Sequence, residues 1–167
     1  GISLVNREAI DLSEIMDNIY ECCTCGGCVH DCTTGWDPVM FTKEVRLKAA
    51  LENKLPDYIN KLVDNCLDTG NAYGETELSA DLKNAIAAHS EKTDTVLYLG
   101  ADARYKMPCQ AVKAIKVLEK ANVSFTVLED EPASGAQLDF LIGAADETKK
   151  QMENAAQVFG GYKTVVL

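Results

Sequence analysis

The chain has 167 residues, seven of them cysteine, and a formal charge of −10 at neutral pH. That length can bury a real core and suits two small domains better than one large one, while an acidic balance with no local basic patch argues against nucleic acid or anionic lipid as a partner, because phosphate would be repelled. No apolar run is long enough to cross a bilayer, so no direct membrane insertion is expected, and with nothing resembling a secretory signal the clustered thiols suit a reducing cytoplasm.

The first half reads as helical. Asp11 and Glu14 make a capping pair, and Leu12, Ile15, Met16 and Ile19 form one apolar stripe that delivers the chain into a run of cysteines. In that run the spacing C-x2-C-x2-C-x3-C falls on Cys22, Cys25, Cys28 and Cys32. Three thiolates two residues apart can converge on one compact iron–sulfur cluster as the chain wraps round it, while the cysteine three further on begins to point elsewhere. A [4Fe-4S] cluster is therefore the first reading and zinc the second, since structural zinc sites usually pair two C-x2-C knuckles separated by a dozen or more residues. Disulfides rank below both, because cysteines two apart in an unstrained loop make poor partners. Cys32 is the expected fourth ligand, with Cys66 or a residue outside this chain as the alternatives. Cys66 shares a helical stripe with Ile59, Leu62 and Val63 and so reads as a buried thiol. Cys23, adjacent to Cys22, is expected to leave the loop as a bystander, and His30 to face solvent.

After the loop, Asp37-Pro38 predicts a helix start, with proline at the first helical position where its missing N–H is harmless. Met40, Glu44, Val45, Lys48 and Leu51 extend that helix, and Pro56 opens another through Cys66; the two are expected to pack together and cover one side of the cluster. Gly70-Asn71-Ala72-Tyr73-Gly74 reads as a loop, and Leu78, Leu82, Ala85 and Ile86 as a connecting helix. A boundary near 90–93 then divides a helical iron–sulfur domain (1–90) from a second domain (91–167).

There the period changes. Short apolar runs at 96–99, 123–128 and 164–167 alternate with helical patterns from Ala111 to Ala121 and over 145–159, giving βαβαβ and a parallel sheet with right-handed crossovers. The expected class is mixed α/β. The run at 164–167 reads as a buried strand on which a domain seldom stops, so the chain is expected to be part of something longer. Ligand sites in such a sheet lie at the carboxyl ends of the strands, here 100–105 and 129–136. Neither segment carries G-x-G-x-x-G or a phosphate-binding lysine, Ser134 is in no G-x-S-x-G elbow and reads as a turn serine, and Arg104 and Lys106 read as solvated surface charge. Catalysis at the first of these loops through Asp102, Arg104 or Ser134 is a minor reading, because the polar groups are too few to define a reaction.

Tyr20 to Cys32 resembles the Y-x-C-T-x-C-G-x-C-x3-C-P segment of the iron–sulfur oxidoreductases of the heterodisulfide reductase type, a group that includes iron–sulfur subunits of anaerobic glycerol-3-phosphate dehydrogenase and glycolate oxidase. Asp37-Pro38, the segment Gly70-Asn71-Ala72-Tyr73-Gly74, similar to G-N-P-Y-G, and the βαβ portion from Val96 onward extend the resemblance over most of the chain. It implies that the second half is a cysteine-rich domain whose CCG motifs can hold a cluster or cofactor. The matching positions depart from that pattern: G-C falls on Gly100-Ala101, E-x-C-C-G falls on Glu131-Pro132-Ala133-Ser134-Gly135, Thr33 replaces the proline after the fourth cysteine, and Cys109 matches neither motif and reads as a helix-start thiol. Family members usually carry two cysteine runs, and this one resembles the C-terminal of the pair.

The expectation is an electron-transfer component rather than a catalytic subunit, with one [4Fe-4S] cluster on Cys22, Cys25, Cys28 and Cys32 and with other redox subunits of an oxidoreductase complex as partners. Gly26 and Gly27 let the backbone approach the sulfurs and donate N–H bonds. The alternative is a protein-interaction module whose metal, iron–sulfur or zinc, is purely structural.

Overall fold

The structure, a computed structural model, describes residues 2–167. A short helix α1 (Ile2–Val5) is followed by a 3-10 turn at Leu12–Ile15 that runs into α2 (Met16–Tyr20). The turn starts where the acidic pair predicts. Ser13 N–H donates to the Asp11 carboxylate at 2.9 Å and Asp11 N–H donates to Glu14 at 2.8 Å, so two otherwise unpaired donors are satisfied reciprocally. Leu12, Ile15 and Met16 then bury against Val45 and Ala49 of α4 (Pro38–Leu51). Asp37 caps that helix, accepting the N–H groups of Val39 and Met40 at 2.9 Å each, with Pro38 at its first position. Between α2 and α4 lies the cysteine loop with its one-turn helix α3 (Gly27–His30).

Helix α5 (Asp57–Thr69) follows Pro56 and ends on Gly70, whose φ of 75° is the left-handed conformation that closes a helix at least cost in glycine. Asn71 beyond it is fully buried and uses its whole amide. Its Nδ2 donates to the carbonyls of Thr69 (3.2 Å) and Glu75 (2.8 Å), and its Oδ1 accepts from the N–H groups of Tyr73 (3.1 Å) and Glu75 (3.3 Å). The G-N-x-Y-G segment is thus a self-bonded turn. Helix α6 (Ala80–Ala87), capped by Ser79, buries Leu82 and Ile86.

The sheet is small and parallel: β1 (Thr95–Leu97), β2 (Thr126–Val127) and β3 (Thr164–Val166) in the order β2-β1-β3, with Val96 opposite Thr126 on one side and Val165 on the other. Helix α7 (Pro108–Lys120) makes the first crossover. Leu82, Ile86, Leu97, Ala111, Ile115, Phe125 and Val127 form the core beneath it. The expected α/β class holds, with three differences. The run at 123–128 yields only two strand residues, because Asn122 turns at φ 55° and Val123 N–H closes back on Leu118 at 3.1 Å. The segment before α9 (Asp146–Phe159) holds a further helix, α8 (Ala136–Ile142). And β3, expected to be buried, lies at the sheet edge with Val165 39% exposed, since it pairs on one side only.

Helix α8 adds to the expected pairing of α4 with α5, packing against both. Leu138, Leu141 and Ile142 join Ile59 and Cys66 in one apolar cluster, with Leu47 and Leu62 alongside. Lys43 of α4 pairs with Asp139 of α8 at 2.5 Å. Packing therefore crosses the 90/91 position in both directions, α8 toward the first half and α6 toward α7. No helix among the described residues is long and apolar enough to cross a membrane.

Candidate functional site

Helix α2 ends at Tyr20, and the chain then turns through Thr24 (φ 54°) and Gly26 (φ 78°) before α3 begins. The loop is held by its own backbone, with Val29 and His30 N–H donating to Gly26 carbonyl at 3.0 and 3.1 Å and Asp31 N–H to Gly27 carbonyl at 3.2 Å. Cys22 and Cys32 are half-buried at its two ends, and Cys25 and Cys28 are exposed between them; all four are free thiols. The sulfurs already have donors. Thr24 N–H points at the Cys22 sulfur (3.4 Å), and the Cys32 sulfur accepts Trp36 N–H (3.3 Å) and lies 3.2 Å from the Thr34 hydroxyl.

These donors favour thiolate. The Gly27 N–H, with the Cys23 thiol second, holds Cys25 below the ordinary thiol range against the opposing effect of burial. The Thr34 hydroxyl, with the backbone N–H groups of Thr34 and Trp36, does the same for Cys32. A Cβ on Gly27 would sit 3.8 Å from the Cys25 sulfur, in ordinary contact with it. Cys23, between Cys22 and Thr24, is an exposed free thiol. His30 is exposed, as expected. Among the described residues, no three His, Cys, Asp or Glu side chains are drawn close enough together to hold a metal ion. The donor set itself, four thiols on one loop with N–H groups on the Cys22 and Cys32 sulfurs, is of a kind that would suit an iron–sulfur cluster.

The other two cysteines sit elsewhere. Cys66 is 1% exposed in the apolar cluster under α8, and burial pushes its thiol up to about 11, which leaves it protonated at neutral pH and ill-suited to ligation. Cys109 is exposed at the second position of α7.

The residue that sequence reasoning missed is Arg46. It projects from α4 and is 0% exposed. Its guanidinium donates to the carbonyls of Cys22 (2.6 Å), Ile19 (3.0 Å) and Phe140 (2.7 Å), and lies between the rings of Tyr20 and Phe140, 4.5 and 4.6 Å from their centroids. Tyr20 OH meanwhile donates to Leu141 carbonyl at 2.5 Å. The start of the cysteine loop is thereby clamped to α8. One of three basic residues in a helix of mixed polarity, Arg46 carries no sequence mark of such a role.

At the carboxyl end of the sheet a cavity of about 280 Å³ opens between Leu99–Tyr105, Glu131–Gln137 and the Gly70-Asn71 turn. Gly100-Ala101 and Ala133-Ser134, the positions that the resemblance assigns to CCG cysteines, line this one cavity. Its floor is occupied by protein. The Glu131 carboxylate, its side chain 3% exposed, accepts Leu99 N–H (2.8 Å) and Gly100 N–H (2.7 Å), the donors that would otherwise receive an anion at the end of β1. Burial pushes the Glu131 carboxyl up, while those N–H groups and Arg104 oppose the rise. Arg104, expected on the surface, is buried, donating to Leu128 carbonyl (3.0 Å) and Glu129 carbonyl (2.5 Å). Lys106 remains exposed, paired with Glu75 at 2.5 Å, and the Asp102 carboxylate accepts Tyr73 OH. Ser134 Oγ accepts Ala136 N–H at 3.3 Å, the turn role expected of it. The polar groups of this cavity are thus largely spent on holding loops together.

Comparison of the chain with protein-family models, with curated proteins and with solved structures gives no match.

Proposed function

We propose that this chain is an electron-transfer iron–sulfur protein, a subunit of the heterodisulfide reductase type, in which Cys22, Cys25, Cys28 and Cys32 hold one [4Fe-4S] cluster. The observation that carries the reading is the C-x2-C-x2-C-x3-C run on a single loop, with backbone N–H groups donating to the sulfurs of Cys22 and Cys32 at its two ends. Bound there, the cluster supplies one-electron redox chemistry between partner redox subunits. The chain's own residues supply the thiolates, the N–H groups of Thr24, Gly27 and Trp36 that stabilise negative charge on sulfur, and a buried clamp, Arg46, that fixes where the loop begins. The α/β half, its sheet-end donors already occupied by Glu131, serves as a surface for docking. Clustered thiols of this kind suit a reducing cytoplasm.

Anaerobic reconstitution tests this. About four irons and four acid-labile sulfides per chain, visible absorbance that bleaches on reduction, and a low-temperature EPR signal in the reduced state are expected. Cys28→Ser should lose most of the iron. A chain that binds zinc as tightly, and folds on zinc as well as on iron and sulfide, would instead be an interaction module with a structural metal.

A further inference from the structure

Arg46 is a permanent cation, since guanidinium does not lose its proton in proteins. It is fully buried, and among the described residues its Nε has no hydrogen-bond partner and its guanidinium no carboxylate in ion-pair contact. A buried charge without an anion is costly, and packing alone would be served as well by an apolar side chain of similar volume. The carbonyls of Ile19, Cys22 and Phe140 offset part of that cost. The cysteine loop meets this charge at Cys22, whose carbonyl lies 2.6 Å from the guanidinium and which is the first of the four ligands proposed above.

We propose that Arg46 is a positioning residue that raises the reduction potential of the cluster, by setting a fixed positive charge against the Cys22 end of the ligand loop. The inference rests on the cluster reading. Four thiolates make the loop anionic, and reduction adds one electron and one further negative charge. A nearby buried cation stabilises the reduced form more than the oxidised one. The two ring faces and three carbonyls keep the guanidinium from turning toward solvent.

The test is a redox titration of reconstituted protein followed by EPR. Arg46→Met should favour the oxidised cluster on the order of tenfold, a potential lower by about 59 mV for one electron, while Arg46→Lys, which keeps the charge, stays close to wild type. A potential unchanged in Arg46→Met, or lowered as far by Arg46→Lys, overturns the inference and leaves the cluster reading standing. Should Arg46→Met not fold, Phe140→Glu against Phe140→Gln decides: a carboxylate set beside the guanidinium should lower the potential relative to the amide, and equal potentials overturn the inference. Wild-type protein that takes up no iron and sulfide overturns the cluster reading and this inference with it.

Discussion

Two arginines show how little of a residue's role is written in its neighbours along the chain. Arg46 and Arg104 both answer mainly to backbone carbonyls, so neither has a sequence partner of opposite charge that would mark it as buried. The cysteines are the opposite case: their spacing is visible in the sequence alone, and the structure carries all four on the one loop between α2 and α4. Glu131 stands between. The resemblance places it at the head of a motif, but only the structure shows that its carboxylate ties the end of β1 to the loop after β2. Removing it strands two inward-facing N–H groups and takes from Arg104 its nearest carboxylate, 3.9 Å away. Glu131→Ala should therefore cost about 3 kcal/mol in urea unfolding, with each unsatisfied buried donor worth about 1–3 kcal/mol. Glu131→Gln, which keeps one acceptor oxygen, should cost clearly less. Equal losses would show that one retained acceptor oxygen restores nothing, and that the bonds from the Leu99 and Gly100 N–H groups are not what the carboxylate contributes.

Among the elements, those with a cap and a long stripe were legible. Helices α4, α5, α7 and α9 fall where their periodicity and their Pro, Asp and Gly punctuation put them. Helix α8 was not, because seven residues between two glycines give only Leu138, Leu141 and Ile142 as a stripe, too short to separate from a loop. Yet α8 is the element that binds the halves, and its exit requires glycine. Gly143 sits at φ 65°, ψ −150°, a region open to glycine almost alone, and a Cβ there would lie 2.8 Å from the Lys43 carbonyl of α4. Gly143→Ala should then destabilise by about 3 kcal/mol, through backbone strain together with forced separation of α8 from α4. Hydrogen exchange should localise the loosening to those two helices. A stability within 0.5 kcal/mol or so of wild type, the usual range for surface substitutions, would mean that the close approach carries no weight.

Over the whole molecule, the alternation of helix and strand announced a parallel α/β unit, but it could not announce that α8 packs into the other half, since nothing in a local period records which distant face receives a helix. That seam holds two protons more tightly than the unfolded chain does. The Cys66 thiol, buried between α5 and α8, is pushed up to about 11 from 9.0, and Tyr20, whose hydroxyl is bonded to the Leu141 carbonyl, is raised by burial to about 12 from 10.0. Both shifts are upward, so the unfolded state releases these protons first. Their contribution is complete below about pH 9 and falls as pH rises, for Cys66 between 9 and 11 and for Tyr20 between 10 and 12. Together they predict that the unfolding free energy drops by about 3 kcal/mol between pH 8 and pH 11 beyond what the exposed groups contribute. Urea unfolding of the apo chain under reducing conditions at the two pH values measures that drop. The Cys66→Ala, Tyr20→Phe double variant, which has neither proton to lose, should show a correspondingly shallower slope. If its alkaline loss equals that of the wild type, the seam between the halves is not what fails at high pH, and solvent reaches these two side chains in the native state.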